Sequence, residues 1–247
     1  MSGRNFLDLC NEVLDIMFYT PAENFDGLET TEGRLVKTKM NNLLRSICSG
    51  EQSIWKFRER EKFFYLNENQ PQYKMPNGYI LYIRPADLSN RVPLIYEDNF
   101  RYLPVTAKGT PIKYWIYKDK INVFPTPSKE QDGTRYIIRY LTDDYAKSSD
   151  GCDKPVMTEA TDEPIIPEPY RAVLVYGTAM NFRAARGDAK SEFYKQQYNE
   201  VYQNMLYNQR LTDDYVKGSR VQDNIITNRQ AYLQDFYNPY VKGTQRI

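Results

Sequence analysis

Histidine is absent from this 247-residue chain. Because histidine is the commonest general acid or base and a frequent metal ligand, its absence excludes Ser-His-Asp and Cys-His catalysis and histidine-based metal sites. Carboxylate-only and lysine-based chemistry remain open. Glycines are few and scattered, and neither a P-loop nor a dinucleotide-binding glycine motif occurs. We therefore predict no catalytic, cofactor-binding or metal-binding residues, and we interpret the chain as a protein that is not an enzyme.

Cysteine is scarce as well, with only Cys10, Cys48 and Cys152 in the chain. Their odd number and wide spacing exclude a disulfide framework and a zinc knuckle. Cys10 and Cys48 fall in apolar helical stripes, which is typical of buried thiols, and this usage indicates a reducing cytoplasm. No apolar run approaches the roughly 20 residues of a membrane-spanning helix, and the N-terminus is unlike a signal peptide. These absences predict a soluble protein.

The net charge is only +1, so the chain has no overall basic footprint for nucleic acid. Charge is nevertheless uneven, because residues 34–62 hold eight basic and three acidic residues while residues 141–169 hold eight acidic and two basic ones. Such runs are either solvated faces or two surfaces that attract each other between neighbouring copies. The second interpretation gives these candidate subunit-interface residues: Arg34, Lys37, Arg45, Asp143, Asp144, Asp162 and Glu163.

Apolar residues at helical spacing predict four helices. The first runs from about Asn5 to Phe18. The second is capped by Thr31, is weakened at its start by Gly33, and ends at Ser49-Gly50. These two form a helical hairpin, with aromatic residues at its base. A third helix begins near residue 167, and a fourth follows Gly187 and runs to about residue 210.

The middle of the chain changes to strand-like runs, including two that flank the short turn Lys118-Asp119-Lys120. We therefore predict an α+β fold in which an antiparallel bundle of about four helices carries an inserted small antiparallel β unit and an extended C-terminal arm. The predicted parts are the bundle at 1–58 and 164–215, the β unit at 59–145, an acidic connector at 146–163 and the arm at 216–247.

The C-terminal arm contains isolated apolar residues without regular periodicity. One interpretation is a disordered tail with a short helix. Disordered tails are poor in aromatic residues, however, and four aromatics fall within nine residues here. We therefore predict a segment that becomes ordered on a partner protein, and its candidate docking residues are Tyr232, Leu233, Phe236, Tyr237 and Tyr240.

Two alternative functions follow from the composition. The chain holds 22 tyrosines, and aromatics lie among basic residues at 55–58 and 100–102, a pattern that can stack on nucleic-acid bases. The near-neutral net charge argues against dedicated nucleic-acid binding. The second alternative is a carboxylate-based polysaccharide or peptidoglycan hydrolase. Carboxylates adjacent in sequence point in different directions, so such a site would need two acids that the fold brings together.

The order of several short motifs resembles the head-to-tail adaptor proteins of tailed bacteriophages, the group that includes tail tubular protein A. The resemblance covers about residues 5–210. It is carried by an opening helix, a Trp-x-Phe after the helical hairpin, a strand that runs into Phe-Pro-x-Pro, and an Ile-Pro before a long helical pair. In this chain the segments are Asn5–Leu14, Ile54–Phe57, Ile83–Leu88, Ile121–Pro127, Ile138–Tyr140 and Ile166–Tyr170.

The resemblance implies a structural virion protein in the neck of the particle. Twelve copies would form a ring beneath the portal protein, join it to a downstream tail or ring protein, and lengthen the channel that viral DNA crosses without sequence-specific binding. The helical bundle would form the ring wall, the β unit would face outward or toward the tail, and the C-terminal arm would reach the portal. A closed ring needs two different complementary faces on each subunit, and the basic and acidic segments are candidates for them.

Overall fold

The computed structural model describes residues 3–49, 54–87, 92–97, 103 and 106–210. The predicted docking arm lies outside these residues. The described helices are α1 (Phe6–Ile16), α2 (Thr31–Ser49), α3 (Ala172–Ala185) and α4 (Ser191–Gln209). The strands are β1 (Glu59–Tyr65), β2 (Gln72–Lys74), β3 (Gly78–Pro85), β4 (Ile95–Tyr96), β5 (Lys113–Tyr117), β6 (Lys120–Phe124), β7 (Arg135–Thr142), β8 (Ala146–Lys147), β9 (Asp153–Lys154) and β10 (Glu163–Pro164).

The predicted arrangement, a helical bundle with one small antiparallel β insert, is wrong. The described chain holds ten strands in three sheets, with strand orders β1-β7-β3, β2-β6-β5-β4 and β10-β8-β9. One sheet is mixed, because β4 pairs in parallel with β5. The third sheet lies in the acidic segment around 146–164, where the prolines indicated only extended chain. Its strands have two residues each, too few for the period-two alternation that reveals a strand in sequence.

Helix α1 begins with a reciprocal cap. The Asn5 side chain accepts a hydrogen bond from the Asp8 backbone N–H at 3.0 Å, and the Asp8 carboxylate accepts one from the Asn5 N–H at 3.1 Å. Two N–H groups at the helix start are thereby satisfied. The helix ends at Ile16, earlier than predicted, because Phe18 adopts the left-handed conformation with φ of +63°.

Gly33 near the start of α2 is needed for packing. The Thr30 hydroxyl, and not the predicted Thr31, accepts a hydrogen bond from the Gly33 N–H at 3.1 Å. A Cβ atom on Gly33 would lie 2.4 Å from the carbonyl oxygen of Leu28, in the preceding 3₁₀ helix Phe25–Glu29. This contact is with backbone and cannot be relieved by a rotamer change, so glycine lets the two elements approach.

The four helices share one hydrophobic core in which α3 contacts α1, α2 and α4. Trp55 lies at the base of the α1–α2 pair, as predicted, and it is fully buried. Its indole N–H donates a hydrogen bond at 2.8 Å to the carbonyl of Ile47 in the last turn of α2. Its ring stacks on Phe57 at 5.5 Å and meets the edge of Tyr202 on α4 at 6.0 Å. The tryptophan therefore ties the end of α2 to the last helix.

The sheets β1-β7-β3 and β2-β6-β5-β4 share a second hydrophobic core. One face of β1-β7-β3 supplies Tyr136 and Ile138, and the other sheet supplies Tyr114, Ile121 and Val123. The predicted hairpin is present as β5 and β6, joined by the two-residue turn Lys118-Asp119 with φ of 49° and 56°. Positive φ at both positions matches the twist of the flanking strands. The remaining face of β1-β7-β3 lies outside this core.

Candidate functional site: surfaces for assembly

Five of the seven predicted subunit-interface residues form ion pairs inside their own chain. The charges at 34 and 37 share one acid, the acid at 143 contacts a buried arginine, and the acids at 162 and 163 each contact a cation in the same half of the chain. The pairs are Arg34–Glu29 at 2.9 Å, Lys37–Glu29, Asp143–Arg58 at 2.8 Å, Asp162–Lys154 at 2.7 Å and Glu163–Arg171 at 2.6 Å.

The basic and acidic segments also meet each other within one subunit. Arg58 donates to Asp143, and Arg60 forms two hydrogen bonds to the carboxylate of Asp153 at 2.9 and 3.1 Å. Of the other two predicted residues, Arg45 is exposed and has no ion pair within the described residues. Asp144 accepts a hydrogen bond from the Asn77 side chain at 2.9 Å. Two ion pairs, Arg58–Asp143 and Arg60–Asp153, therefore join the basic and acidic segments inside one copy.

The aromatic–basic motif at 55–58 is mostly internal. Trp55 and Arg58 are buried, and Phe57 stacks on Trp55. Only Lys56 is well exposed, and its ammonium donates to the carbonyl of Asn208 at 3.3 Å. These residues therefore hold the core together and do not offer a stacking platform for bases. The motif at 100–102 and the docking residues after 215 lie outside the described residues.

The outward face of β1-β7-β3 presents aromatic and arginine side chains in register. Strand pairing sets Phe63 beside Ile137 and Tyr65 beside Arg135 on the face opposite the β core. The Arg135 guanidinium lies 4.9 Å from the centre of the Phe63 ring. We name this surface the outer aromatic face, and its members are Phe63, Tyr65, Tyr79, Tyr82, Arg84, Arg135 and Arg139.

Three of the four aromatic members of this face are about half exposed. Phe63, Tyr65 and Tyr79 are 48%, 55% and 54% exposed. Arg139 is held in place because it pairs with Glu59 and donates a hydrogen bond to the Tyr82 hydroxyl at 3.1 Å. Exposed aromatic patches combined with arginine are typical of protein interfaces, since these residues dominate binding hot spots.

A second exposed aromatic lies at the end of α1. Phe18 is 81% exposed. Its backbone is left-handed, which is an outlier for a bulky residue. Arg183 and Lys190 lie 5.8 and 5.6 Å from its ring centre. Arg183 is itself buried, because it donates to the carbonyl of Ile16 at 2.9 Å and pairs with Asp188. Phe18 is therefore an exposed side chain with a fixed backbone, and two cations lie near its ring.

The surroundings of Asp188, Cys10 and Cys48 shift the pKa of each side chain. Hydrogen bonds from the Lys190 backbone N–H and the Arg183 guanidinium hold the pKa of Asp188 below its ordinary value. Burial raises the pKa of the Cys10 and Cys48 thiols to about 12, which makes both unreactive near neutral pH. Among the described residues no group of three acidic or thiol side chains could hold a metal ion. None of the helices in that part of the chain has both the length and the hydropathy of a transmembrane span.

No protein-family model matches the sequence, and no curated protein is significantly similar to it. Function must therefore be argued from the surfaces above. The outer aromatic face was not predicted from the sequence, although the sequence carries a signal for it. Phe63 and Tyr65 in β1 alternate with residues of the other face, and Arg135 begins β7 in the same phase. Finding the face requires the register between β1 and β7, which the sequence does not supply.

Proposed function

We propose that the chain is a structural virion protein, a subunit of the head-to-tail adaptor ring that joins the portal of a tailed bacteriophage to its tail. The observation that carries the proposal is the outer aromatic face, where three large aromatic side chains remain about half exposed beside arginines. A subunit that assembles with other proteins would bury them.

The motif order along residues 5–210 supports the same proposal, because it follows that of phage adaptor proteins. Copies of the chain would form a closed ring through heterologous contacts, with the portal on one side and a tail or ring protein on the other. Viral DNA would cross the ring without sequence-specific contacts. A net charge of +1 suits such a channel, since a strongly basic wall would bind the phosphate backbone.

The direct test uses the full chain, alone and mixed with the portal protein of the same phage. We expect negative-stain images to show rings and light scattering to give a mass many times that of the 29.2 kDa chain. A protein that stays monomeric at every concentration, and that does not bind the portal, would refute the proposal.

A variant pair tests the surface that carries the proposal. Phe63→Ser removes a half-exposed ring from the outer aromatic face, and Phe193→Ser removes a similarly exposed ring from α4. We expect the first to weaken assembly or partner binding about tenfold or more, because truncating an interface hot spot costs about 2 kcal/mol. We expect the second to leave both unchanged. Equal effects of the two variants would show that the outer aromatic face is not the contact.

A further inference from the structure

A basic groove lies beside the turn between β5 and β6. It has a volume of about 830 Å³ and is walled by the turn, by β2 and by the chain that precedes β2. Its charged side chains are Lys74, Lys118 and Lys120, with Asp119 as the one carboxylate among the lining residues. We name it the lysine groove, and its lining is completed by Asn69, Gln70, Pro71, Gln72 and Tyr73.

The three lysines of this groove outnumber its one carboxylate. Lys74 and Lys120 are direct partners in the β2–β6 pairing, so two positive charges face each other across neighbouring strands. Like charges in that position destabilise a sheet. The Lys120 ammonium reaches only the Gln72 amide oxygen at 3.5 Å, and Lys118 lies over the Tyr117 ring at 5.3 Å. Within the described residues none of the three forms an ion pair, so an anionic partner would relieve their repulsion.

The opposite charge is concentrated near the N-terminal end of the sequence. Residues 1–33 contain seven acidic residues and one basic residue. The side chain of Asn11 on α1 bonds both the N–H and the carbonyl of Ala22, which ties the segment after the helix back to α1. A contact of 5.8 Å between Phe6 and Phe25 holds the next element against α1. Four exposed acidic residues lie on α1, on the segment after it and on the next element, and we name them the acidic surface: Asp8, Asp15, Glu23 and Asp26.

Three members of the acidic surface, Asp15, Glu23 and Asp26, have no cationic partner in the part of the chain that the structure describes. Asp8 is the exception in having a local role, as the cap of α1. The surface belongs to the helical core, whereas the lysine groove belongs to the β core. The groove and the acidic surface are therefore built on different parts of one subunit, carry opposite charge, and form no mutual ion pair among the described residues.

We propose that the lysine groove of one copy receives the acidic surface of a neighbouring copy. This inference rests on the proposed function and names the contact that would close the ring. A head-to-tail contact between two unlike faces is the heterologous type that generates rings. Opposite charges on the two faces would also fix which surfaces meet and speed their encounter.

The neighbouring copy is favoured over nucleic acid as the occupant for two reasons. The chain supplies its own complement, and its net charge of +1 gives nucleic acid no long-range attraction. The groove is also confined to one hairpin, one adjoining strand and the chain before that strand, and the recess next to it is lined by Lys62 together with Asp119 and Asp143. A basic patch this local, with carboxylates beside it, suits an acidic protein surface better than a long phosphate backbone.

The test is a charge exchange in the full chain. The groove variant carries Lys74→Glu with Lys120→Glu, and the acidic variant carries Asp15→Lys with Glu23→Lys. All four positions are exposed, so we expect every variant to fold. The control variant carries Lys129→Glu with Lys195→Glu at two exposed lysines outside the groove. It changes the net charge by the same amount as the groove variant. Sedimentation velocity at several NaCl concentrations measures the assembly constant.

We expect each of the two interface variants to weaken assembly at least tenfold, and their combination to restore it to within about threefold of the native chain. The control should assemble like the native chain, and assembly of the native chain should weaken with added salt. If the groove and acidic variants behave like the control while rings still form, the proposed contact is wrong and the adaptor proposal stands. If the native chain never assembles, the adaptor proposal itself fails.

A second readout separates the two occupants. Fluorescence anisotropy with a labelled 30-base-pair duplex measures DNA binding by the same variants. We expect weak binding that the groove variant leaves unchanged. Loss of DNA binding in the groove variant, with assembly unaffected, would overturn the inference and assign the groove to nucleic acid.

Discussion

Replacement of Arg58 by alanine should destabilise the protein more than any change of an exposed charge. Arg58 is only 6% exposed and lies where the helical and β cores meet. Its guanidinium donates to the carbonyls of Cys48 and Thr142 at 2.5 and 2.9 Å, and to the carboxylate of Asp143 at 2.8 Å. It also lies 5.5 Å from the centre of the Tyr145 ring. One side chain thus joins the end of α2 to the end of β7.

The magnitude follows from what the change leaves behind. The Cys48 and Thr142 residues are fully buried, so each carbonyl would lose its partner where little water can reach it. An unsatisfied buried polar group costs about 1–3 kcal/mol, and the lost volume adds a cavity term. Asp143 contributes less because its side chain is half exposed and can be hydrated. We expect Arg58→Ala to lower the free energy of unfolding by about 3–5 kcal/mol.

Urea unfolding followed by circular dichroism measures this change, and a thermal scan should show Tm lower by about 10 °C. Arg135→Ala is the matched control, because Arg135 is an exposed arginine whose ring contact contributes about 0.5–1 kcal/mol. Asp143→Asn should cost less than about 1 kcal/mol, since it keeps an acceptor in place. A loss below about 1 kcal/mol for Arg58→Ala would refute the view that this arginine joins the two cores.

Three further outcomes are expected. Burial alone would raise the pKa of Asp162, yet hydrogen bonds from Lys154, Thr158 and Glu159 lower it. Because these bonds favour the charged carboxylate, Asp162→Asn should lower the free energy of unfolding by about 2 kcal/mol at pH 7. Because the pKa is depressed on folding, urea titrations should show this difference shrinking below about pH 4, and a constant difference would contradict the assignment. Gly33→Ala should lower the free energy of unfolding by about 2–3 kcal/mol, because its Cβ would clash with the Leu28 carbonyl. Ser46→Ala in the same helix should be neutral. A stabilised Gly33→Ala would contradict the packing argument. At pH 8 a thiol reagent should modify only the exposed Cys152 in the native protein, because Cys10 and Cys48 are buried with raised pKa values. In urea it should modify all three cysteines. A second reactive thiol in the native protein would contradict the burial of Cys10 and Cys48.

The helices could be predicted because their apolar stripes repeat at 3.6 residues over two or more turns. The sequence also indicated the position of Trp55 at the base of the first helical pair. Gly33 shows the limit of this reasoning. Intrinsic propensity marks glycine as a weak point in a helix, but its role depends on Leu28, whose backbone lies against the helix only after folding. Helix propensity is a property of one segment, whereas this contact forms between α2 and the 3₁₀ helix that precedes it.

The β part could be predicted less well for a related reason. The hairpin β5–β6 is local, and its turn and alternation are both visible in sequence. The pairing of β1 and β3 with β7 joins residues up to 82 positions apart, such as Glu59 and Leu141, and sequence alone does not specify that register. The outer aromatic face is a product of this register. It could therefore not be recognised as a surface, although each of its residues is visible in the sequence.

Charge presents the sharpest contrast between sequence and structure. Counting charges identified the segments 34–62 and 141–169 as mutually attractive, and the structure joins them within one subunit through Arg58–Asp143 and Arg60–Asp153. A charge already paired in this way contributes little to a contact with another copy, because the new partner must displace the old one. The charges available for assembly are those left without partners after folding, as in the lysine groove and at Asp15 and Glu23. A search for assembly contacts should therefore begin from the unpaired charges of the folded subunit, which differ from the charge runs of its sequence.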